Sequence, residues 1–210
     1  MTVLLLAKDE QREELFAYPV NEKIELKWIT DPGEFIPGQS IDACIDLLFE
    51  NTTERIAWLK SLQAPLIIIN SVVLPLHQIQ PHFIRINGWT TFLKSPVVEA
   101  AFINTSLQPG AEQLFSWFGR TVEWTPDITG FIIPRIVASI INEAFFALEE
   151  NVSTEEEIDT AIKLGAHYPF GPFEWGEKIG LHNIYSLLAT LSKEQTRYSP
   201  SLLLKQTALA

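Results

Sequence analysis

Asp127-Ile128-Thr129-Gly130-Phe131-Ile132-Ile133-Pro134-Arg135 is the stretch at which this chain changes character. After it, Ile133, Val137, Ile140, Ala144 and Leu148 recur at three- and four-residue steps, which predicts a long helix with one apolar face. Pro134 must bend or begin that helix, because its ring removes a backbone donor. Before the stretch, apolar runs alternate with polar helical segments. The change places a boundary near Pro126, with an α/β domain over residues 1–126 and a helical domain over residues 127–210.

In the first half, residues 2–7 read as a buried strand and residues 9–18 as a helix with Asp9 and Glu10 in its first turn. Residues 23–30 alternate Ile24, Leu26 and Trp28 with polar neighbours, a half-buried strand closed by the turn Asp31-Pro32-Gly33. A strand at 41–49, a helix at 52–62 and a strand at 66–70 follow. Strand and helix in alternation imply parallel crossovers. Further strands are expected at 83–89, 97–103 and 121–124, with a helix at 111–118. In the second half Ser153-Thr154-Glu155-Glu156 opens a helix whose buried face would be Ile158, Ala161 and Ile162 and whose end is Gly165. Two more helices are expected, at 183–192 and from Pro200 onward.

Composition narrows the partners. A formal charge of −11 argues against nucleic acid, which needs clustered Lys and Arg to displace counterions. An apolar content of 47% with six Trp and thirteen Phe supports a packed core. The single cysteine, Cys44, lies in an apolar run and reads as a small buried hydrophobe. The apolar run near the N-terminus is too short for a signal segment, and the most apolar stretch, 131–148, is broken by Arg135, Asn142 and Glu143, so a cytoplasmic protein without a membrane span is expected.

The stretch at 127–135, with Asn142-Glu143-Ala144 after it, resembles the junction of the 3-hydroxyacyl-CoA dehydrogenase family, D-x-P-G-F-x-x-N-R and then N-E-A. Ile158, Asp159, Ala161, Gly165, Pro169, Gly171 and Pro172 match the family's later I-D-x-A-x-x-x-G-x-x-x-P-x-G-P, and Ile179-Gly180-Leu181 its I-G-L. Ile45-Asp46-Leu47-Leu48-Phe49-Glu50 resembles the family's I-E-A-V-x-E, residues 66–74 its strand ending in S-N-T-S, and residues 84–101 its G-L-H-F-F-N-P through L-V-E-V. The resemblance covers nearly the whole chain. It implies a shortened Rossmann-like parallel-sheet domain followed by a helical, dimerisation-type domain, the missing length falling before residue 41. It also implies NAD as cofactor, a 3-hydroxyacyl-CoA or small 3-hydroxy acid as substrate, a setting in fatty acid metabolism, and a homodimer made by the helical domain.

Tested position by position, the resemblance leaves the family's chemistry incomplete. The family uses a His as base, held by a Glu twelve residues later, whose carboxylate fixes the tautomer and stabilises the imidazolium. Glu99 matches the acid, but Asn87 stands at the position of the His, and an amide cannot take a proton near neutral pH. Asn87 can donate to Glu99, which would keep the acid for structure. His82 is five positions too early to serve without a strand slip that inverts its facing; His77, His167 and His182 read as loop or surface residues, with a substrate-lining role for His167 left open. Val72 takes the place of the family's Ser if Asn70 aligns with the Asn of S-N-T-S, while a one-residue slip would put Ser71 there. Pro134 takes the place of the family's Asn.

The dinucleotide-binding turn is altered as well. The G-x-G-x-x-G that lets backbone approach a pyrophosphate is replaced by Ala7-Lys8-Asp9-Glu10-Gln11-Arg12. Asp31, at the end of the second strand, matches the acid that binds the adenosine ribose and equally suits a turn before Pro32 and Gly33. Two functions are therefore expected in competition. One is a homologue without normal dehydrogenase turnover that binds an acyl-CoA, another small ligand or a partner. The other is an active NAD-dependent oxidoreductase with a rearranged loop and proton transfer through water or Glu99.

Overall fold

A computed structural model describes residues 1–35 and 38–210. The chain divides into two compact units, Met1–Phe131 and Ile132–Ala210, so residues 127–131 of the junction stretch count with the first.

The first unit is a seven-stranded sheet of order β2-β1-β3-β4-β5-β6-β7. Its strands are β1 (Thr2–Leu6), β2 (Glu25–Ile29), β3 (Ala43–Asp46), β4 (Leu66–Asn70), β5 (Ile84–Ile86), β6 (Val97–Phe102) and β7 (Thr121–Trp124). The helices α1 (Asp9–Leu15), α2 (Thr53–Ser61) and α3 (Gln108–Trp117) connect them. Pairing is parallel from β2 through β5, although only the short 3-10 turn Leu76–Gln78 separates β4 from β5. β5 and β6 run antiparallel, and β6 and β7 are parallel again across α3.

Side-chain alternation along β1 explains the layering. Val3, Leu5 and Ala7 face one side with Leu15 of α1 and Ala111, Leu114 and Phe115 of α3. Leu4 and Leu6 face the other, with Cys44, Ile69 and Leu59 of α2. Both faces are covered, which is why the central strands read as unbroken apolar runs. Cys44 has no exposed surface, and burial raises its thiol well above the ordinary range.

The chain leaves β1 for β2 on one flank and then crosses back to lay β3 on the other. Sheets wound this way in the order 3-2-1-4-5-6 place two strands on the first flank before reversing. Here, among the described residues, only β2 stands there, at the point where the sequence is short.

The second unit consists of α4 (Ile133–Glu149), α5 (Glu155–Gly165), α6 (Pro172–Ile179), α7 (Leu181–Leu191) and α8 (Leu202–Ala208). Pro134 sits in the opening turn of α4, where its missing N–H costs nothing. The buried stripe of α4 is Pro134, Val137, Ala138, Ile141, Asn142, Ala144 and Phe145; of the expected face, Val137 and Ala144 are buried, Ile140 and Leu148 are half-buried and Ile133 is exposed. Two expectations need correction. α6 was not among the expected helices, although Pro172 and Glu174 are good openers of one. The face of α5 is not Ile158, Ala161 and Ile162: Ala161 is exposed, the two isoleucines are half-buried, and the buried residue is Asp159.

Candidate active site and cofactor crevice

Asn87 follows β5 directly, and the antiparallel register of β5 with β6 brings it opposite Glu99. The Asn87 backbone N–H donates to the Glu99 carbonyl at 3.0 Å, and its side-chain Nδ2 donates to Glu99 Oε2 at 3.1 Å. Both residues are buried, at 5% and 8% exposure. The amide-to-carboxylate bond expected from the spacing is therefore present. Asn87 Oδ1 lies 3.4 Å from the Trp89 N–H, so both ends of the amide are directed by neighbours. A neutral amide donates to Glu99 but offers no site for a proton, so the pair cannot act as a general base through residue 87.

Asn70, the last residue of β4, spans the neighbouring strand ends. Its Nδ2 donates to the Leu47 carbonyl at 3.3 Å and its Oδ1 accepts from the Gly88 N–H at 3.0 Å. Val72 is 3% exposed and contributes an aliphatic side chain where a hydroxyl was sought; its carbonyl accepts from the Gly130 N–H at 2.8 Å. Ser71 has a hydroxyl, but it donates to the Leu74 carbonyl at 2.8 Å. His82 is exposed and precedes β5, at the opposite end of that strand from Asn87. His77 is exposed beside Asp127, with Nδ1 3.9 Å from its carboxylate. Pro134 and His167 belong to the second unit, where His167 is exposed at a positive φ of 56°.

The junction motif is held by a residue that the sequence reading passed over. Arg85, in the middle of β5, has no exposed surface. Its Nε donates to Asp127 Oδ1 at 2.5 Å, and its terminal nitrogens donate to the Ser71 carbonyl at 3.0 Å and the Ile128 carbonyl at 2.6 Å. The guanidinium lies 4.1 Å from the centre of the Phe131 ring. Burial lowers its pKa, while the Asp127 carboxylate opposes that. Asp127 also accepts from the Leu76 N–H with both oxygens, and Gly130 turns the chain at φ +91°. Asp127, the Ile128 carbonyl and the Phe131 ring thus form a clasp around one buried cation, with Gly130 turning the chain between them. The signal in the sequence was a lone Arg between Ile84 and Ile86 in a buried strand, since such a charge must find an acid.

In an open α/β sheet a ligand is expected beyond the carboxyl ends of the strands, where the order reverses. In this unit that place is between β1 and β3. A cleft of about 700 Å³ opens beside it, lined among others by Lys8, Asp31, Leu48, Glu50, Thr52 and Trp58. Asp31 behaves as a turn former: its Oδ1 accepts from the Gly33 N–H at 2.7 Å, and the Asp31 N–H donates to Glu34 Oε1 at 2.9 Å. Asp46, fully buried at the end of β3, is bound by Arg55 of α2 through Nε at 2.7 Å and a terminal nitrogen at 2.8 Å. Burial raises the Asp46 carboxyl and Arg55 only partly offsets it. The Arg55 charge is therefore already committed.

NAD does not fit the residues at the reversal point. Asp9 and Glu10 open α1, and the buried amide of Gln11 bridges the Lys8 N–H, at 3.1 Å, and the Leu47 carbonyl, at 3.2 Å. A pyrophosphate would need that donor and that space.

In the second unit the motif residues are structural. Asp159 accepts from the N–H groups of Phe173 and Glu174 at 2.9 and 3.1 Å, capping α6. A Cβ on Gly171 would lie 2.2 Å from Asp159 Cγ, so only glycine fits beneath that cap. Asn142 Nδ2 donates to the Ser199 carbonyl and its Oδ1 accepts from the Ser201 N–H, holding the segment that leads into α8. Among the described residues no group of His, Cys, Asp and Glu could hold a metal ion, and no helix is long and apolar enough to cross a membrane.

A wound sheet with its reversal point between β1 and β3, followed by a helical unit, defines a Rossmann-like domain followed by a helical domain. Comparison with known proteins agrees. Residues 130–210 match the family model for the 3-hydroxyacyl-CoA dehydrogenase C-terminal domain, so the likeness to that family is shown for the helical unit. It is 46% identical over 93 residues to a 3-hydroxyadipyl-CoA dehydrogenase of Escherichia coli K12, covering 43% of this chain and 20% of that protein. A 3-hydroxybutyryl-CoA dehydrogenase of Bradyrhizobium diazoefficiens is 38% identical over 96 residues, or 45% of this chain and 33% of the relative. The match thus spans a third or less of these relatives' length. The crystal structure of an (S)-3-hydroxybutyryl-CoA dehydrogenase of Ralstonia eutropha superposes with a TM-score of 0.71 at 20% identity, covering 98% of this chain and 92% of that one, which extends the likeness in fold to the first unit.

Proposed function

We propose that this protein is a 3-hydroxyacyl-CoA dehydrogenase homologue without normal dehydrogenase turnover, which uses its inherited fold to bind a small ligand, an acyl-CoA among the candidates, or a partner. The observation that carries this reading is the buried bond from Asn87 Nδ2 to Glu99 Oε2. Oxidation of a 3-hydroxy group requires a base for the hydroxyl proton as hydride departs, and residue 87 holds an amide in that position. Glu99 is engaged by the amide. Val72 in place of a hydroxyl and Pro134 in place of an amide take away two more polar groups, so Asn87, Glu99, Val72 and Pro134 are proposed as the altered remains of a catalytic set. The protein is further proposed to pair with a second copy through its helical unit, which exposes Leu164 at 73%, Leu202 at 63% and Leu209 at 64%.

Turnover is the test. NADH oxidation with acetoacetyl-CoA should stay at the buffer rate for the wild type, and Asn87→His should not raise it. A wild-type rate well above buffer would overturn the reading in favour of an oxidoreductase.

A further inference from the structure

The turn after β1 is occupied by the chain itself. We infer that Gln11 stands in for a dinucleotide: its amide fills the place between the carboxyl ends of β1 and β3 and satisfies the backbone groups that a pyrophosphate-binding turn leaves open. This rests on the proposed loss of turnover only in sharing the fold; the residues that carry it are different.

A turn built to receive a pyrophosphate keeps its backbone bare, which is the physical use of glycine there. Around residues 7 and 8 the backbone is covered. Gln11 Oε1 accepts from the Lys8 N–H at 3.1 Å, and the Trp28 indole Nε1 donates to the Ala7 carbonyl at 2.9 Å. The Arg12 guanidinium stacks 3.9 Å from the centre of the Trp28 ring. On the far side of the gap Gln11 Nε2 donates to the Leu47 carbonyl at 3.2 Å, and Asn70 Nδ2 donates to that same oxygen at 3.3 Å. The other end of the Asn70 amide takes the Gly88 N–H at 3.0 Å. Neutral amides therefore link the ends of β1, β3, β4 and β5 in one row. Gln11 itself is 8% exposed, so it is part of the packed interior.

The electrostatics point the same way. Asp9 and Glu10 open α1 at the place a phosphate would approach, and α1 is only seven residues long. The cleft alongside carries the carboxylates of Asp31, Glu50 and Glu54 against Lys8 and an Arg55 already paired with Asp46. A dianionic bridge would meet net negative charge and would have to expel a side chain bonded on both sides.

Calorimetry of the wild type with NADH should give no binding heat, and saturating NADH should leave its melting temperature unchanged, whereas a ligand of the folded state raises it. Gln11→Met keeps the length and removes both bonds. Its melting temperature should fall by about 4–8 °C, with faster exchange of the Lys8 amide and no rescue by NADH. NADH binding to the wild type would overturn the inference, as would a Gln11→Met variant with unchanged melting temperature and Lys8 protection. NADH binding without acetoacetyl-CoA reduction sinks this inference alone and leaves the absence of turnover standing.

Discussion

Arg85 shows how one residue decides the fate of a motif. A guanidinium with no exposed surface is tolerated because Asp127, two carbonyls and the Phe131 ring surround it. Arg85→Met should cost about 3–5 kcal/mol in urea unfolding, because it leaves Asp127 with its countercharge gone, and adding Asp127→Asn should return part of the loss. Glu14 offers a second test at this scale. Its carboxylate accepts from the Thr91 N–H at 2.8 Å, and burial raises its pKa above the ordinary carboxyl value. Its contribution to stability is thus complete below that ordinary value and is lost as pH rises through the raised one. Glu14→Gln keeps an acceptor and cannot ionise. The variant should gain on the wild type as pH climbs from acid toward neutrality in paired melting curves. Glu34, Glu157 and Glu174 are held below the ordinary range and act in the opposite sense, but they are common to both proteins and cancel.

At the scale of elements, α6 exists because its first turn is supplied from outside. Pro172 presets the opening, and Asp159 of α5 satisfies the N–H groups of Phe173 and Glu174. Lys163 of α5 also pairs with Glu174. Asp159→Ala should lower stability by about 1–2 kcal/mol, a shift of about 2–8 °C in melting temperature. Gly171→Ala should cost more, because its Cβ would overlap Asp159. Combined with Asp159→Ala it should cost less than the two changes added together, since the overlap disappears with the carboxylate. The family spacing of Asp159, Gly171 and Pro172 is thereby explained as a cap and the glycine beneath it. That arrangement joins residues on two elements, which is why helical periodicity alone misassigned the face of α5 and overlooked α6.

At the scale of the molecule, the proposed pairing of helical units predicts a species of twice 23.8 kDa by light scattering after size exclusion. Replacing Leu164 and Leu202 with Glu should return it to a single chain, because neither charge could be desolvated at an interface. Much of this architecture was legible beforehand. Period-two and apolar runs located the strands, the three- and four-residue steps located α4, and Pro134 fixed where that helix begins. The antiparallel placement of β6 was not legible, because β4 and β5 also lack an α-helix between them and yet pair parallel.

The candidate site divides the same way. Sequence alone determined which chemical groups are present: an amide at 87, an acid at 99, a valine at 72, and no glycine after β1. Those identities are local, so spacing suffices to read them. Only the tertiary structure decided what the groups do instead. It set the Asn87 amide on Glu99, folded Asp127 around Arg85, and aimed Gln11 between two strand ends. Each of these bonds joins residues distant in the chain or on different elements, and their existence depends on strand register and layer packing that no single stretch encodes.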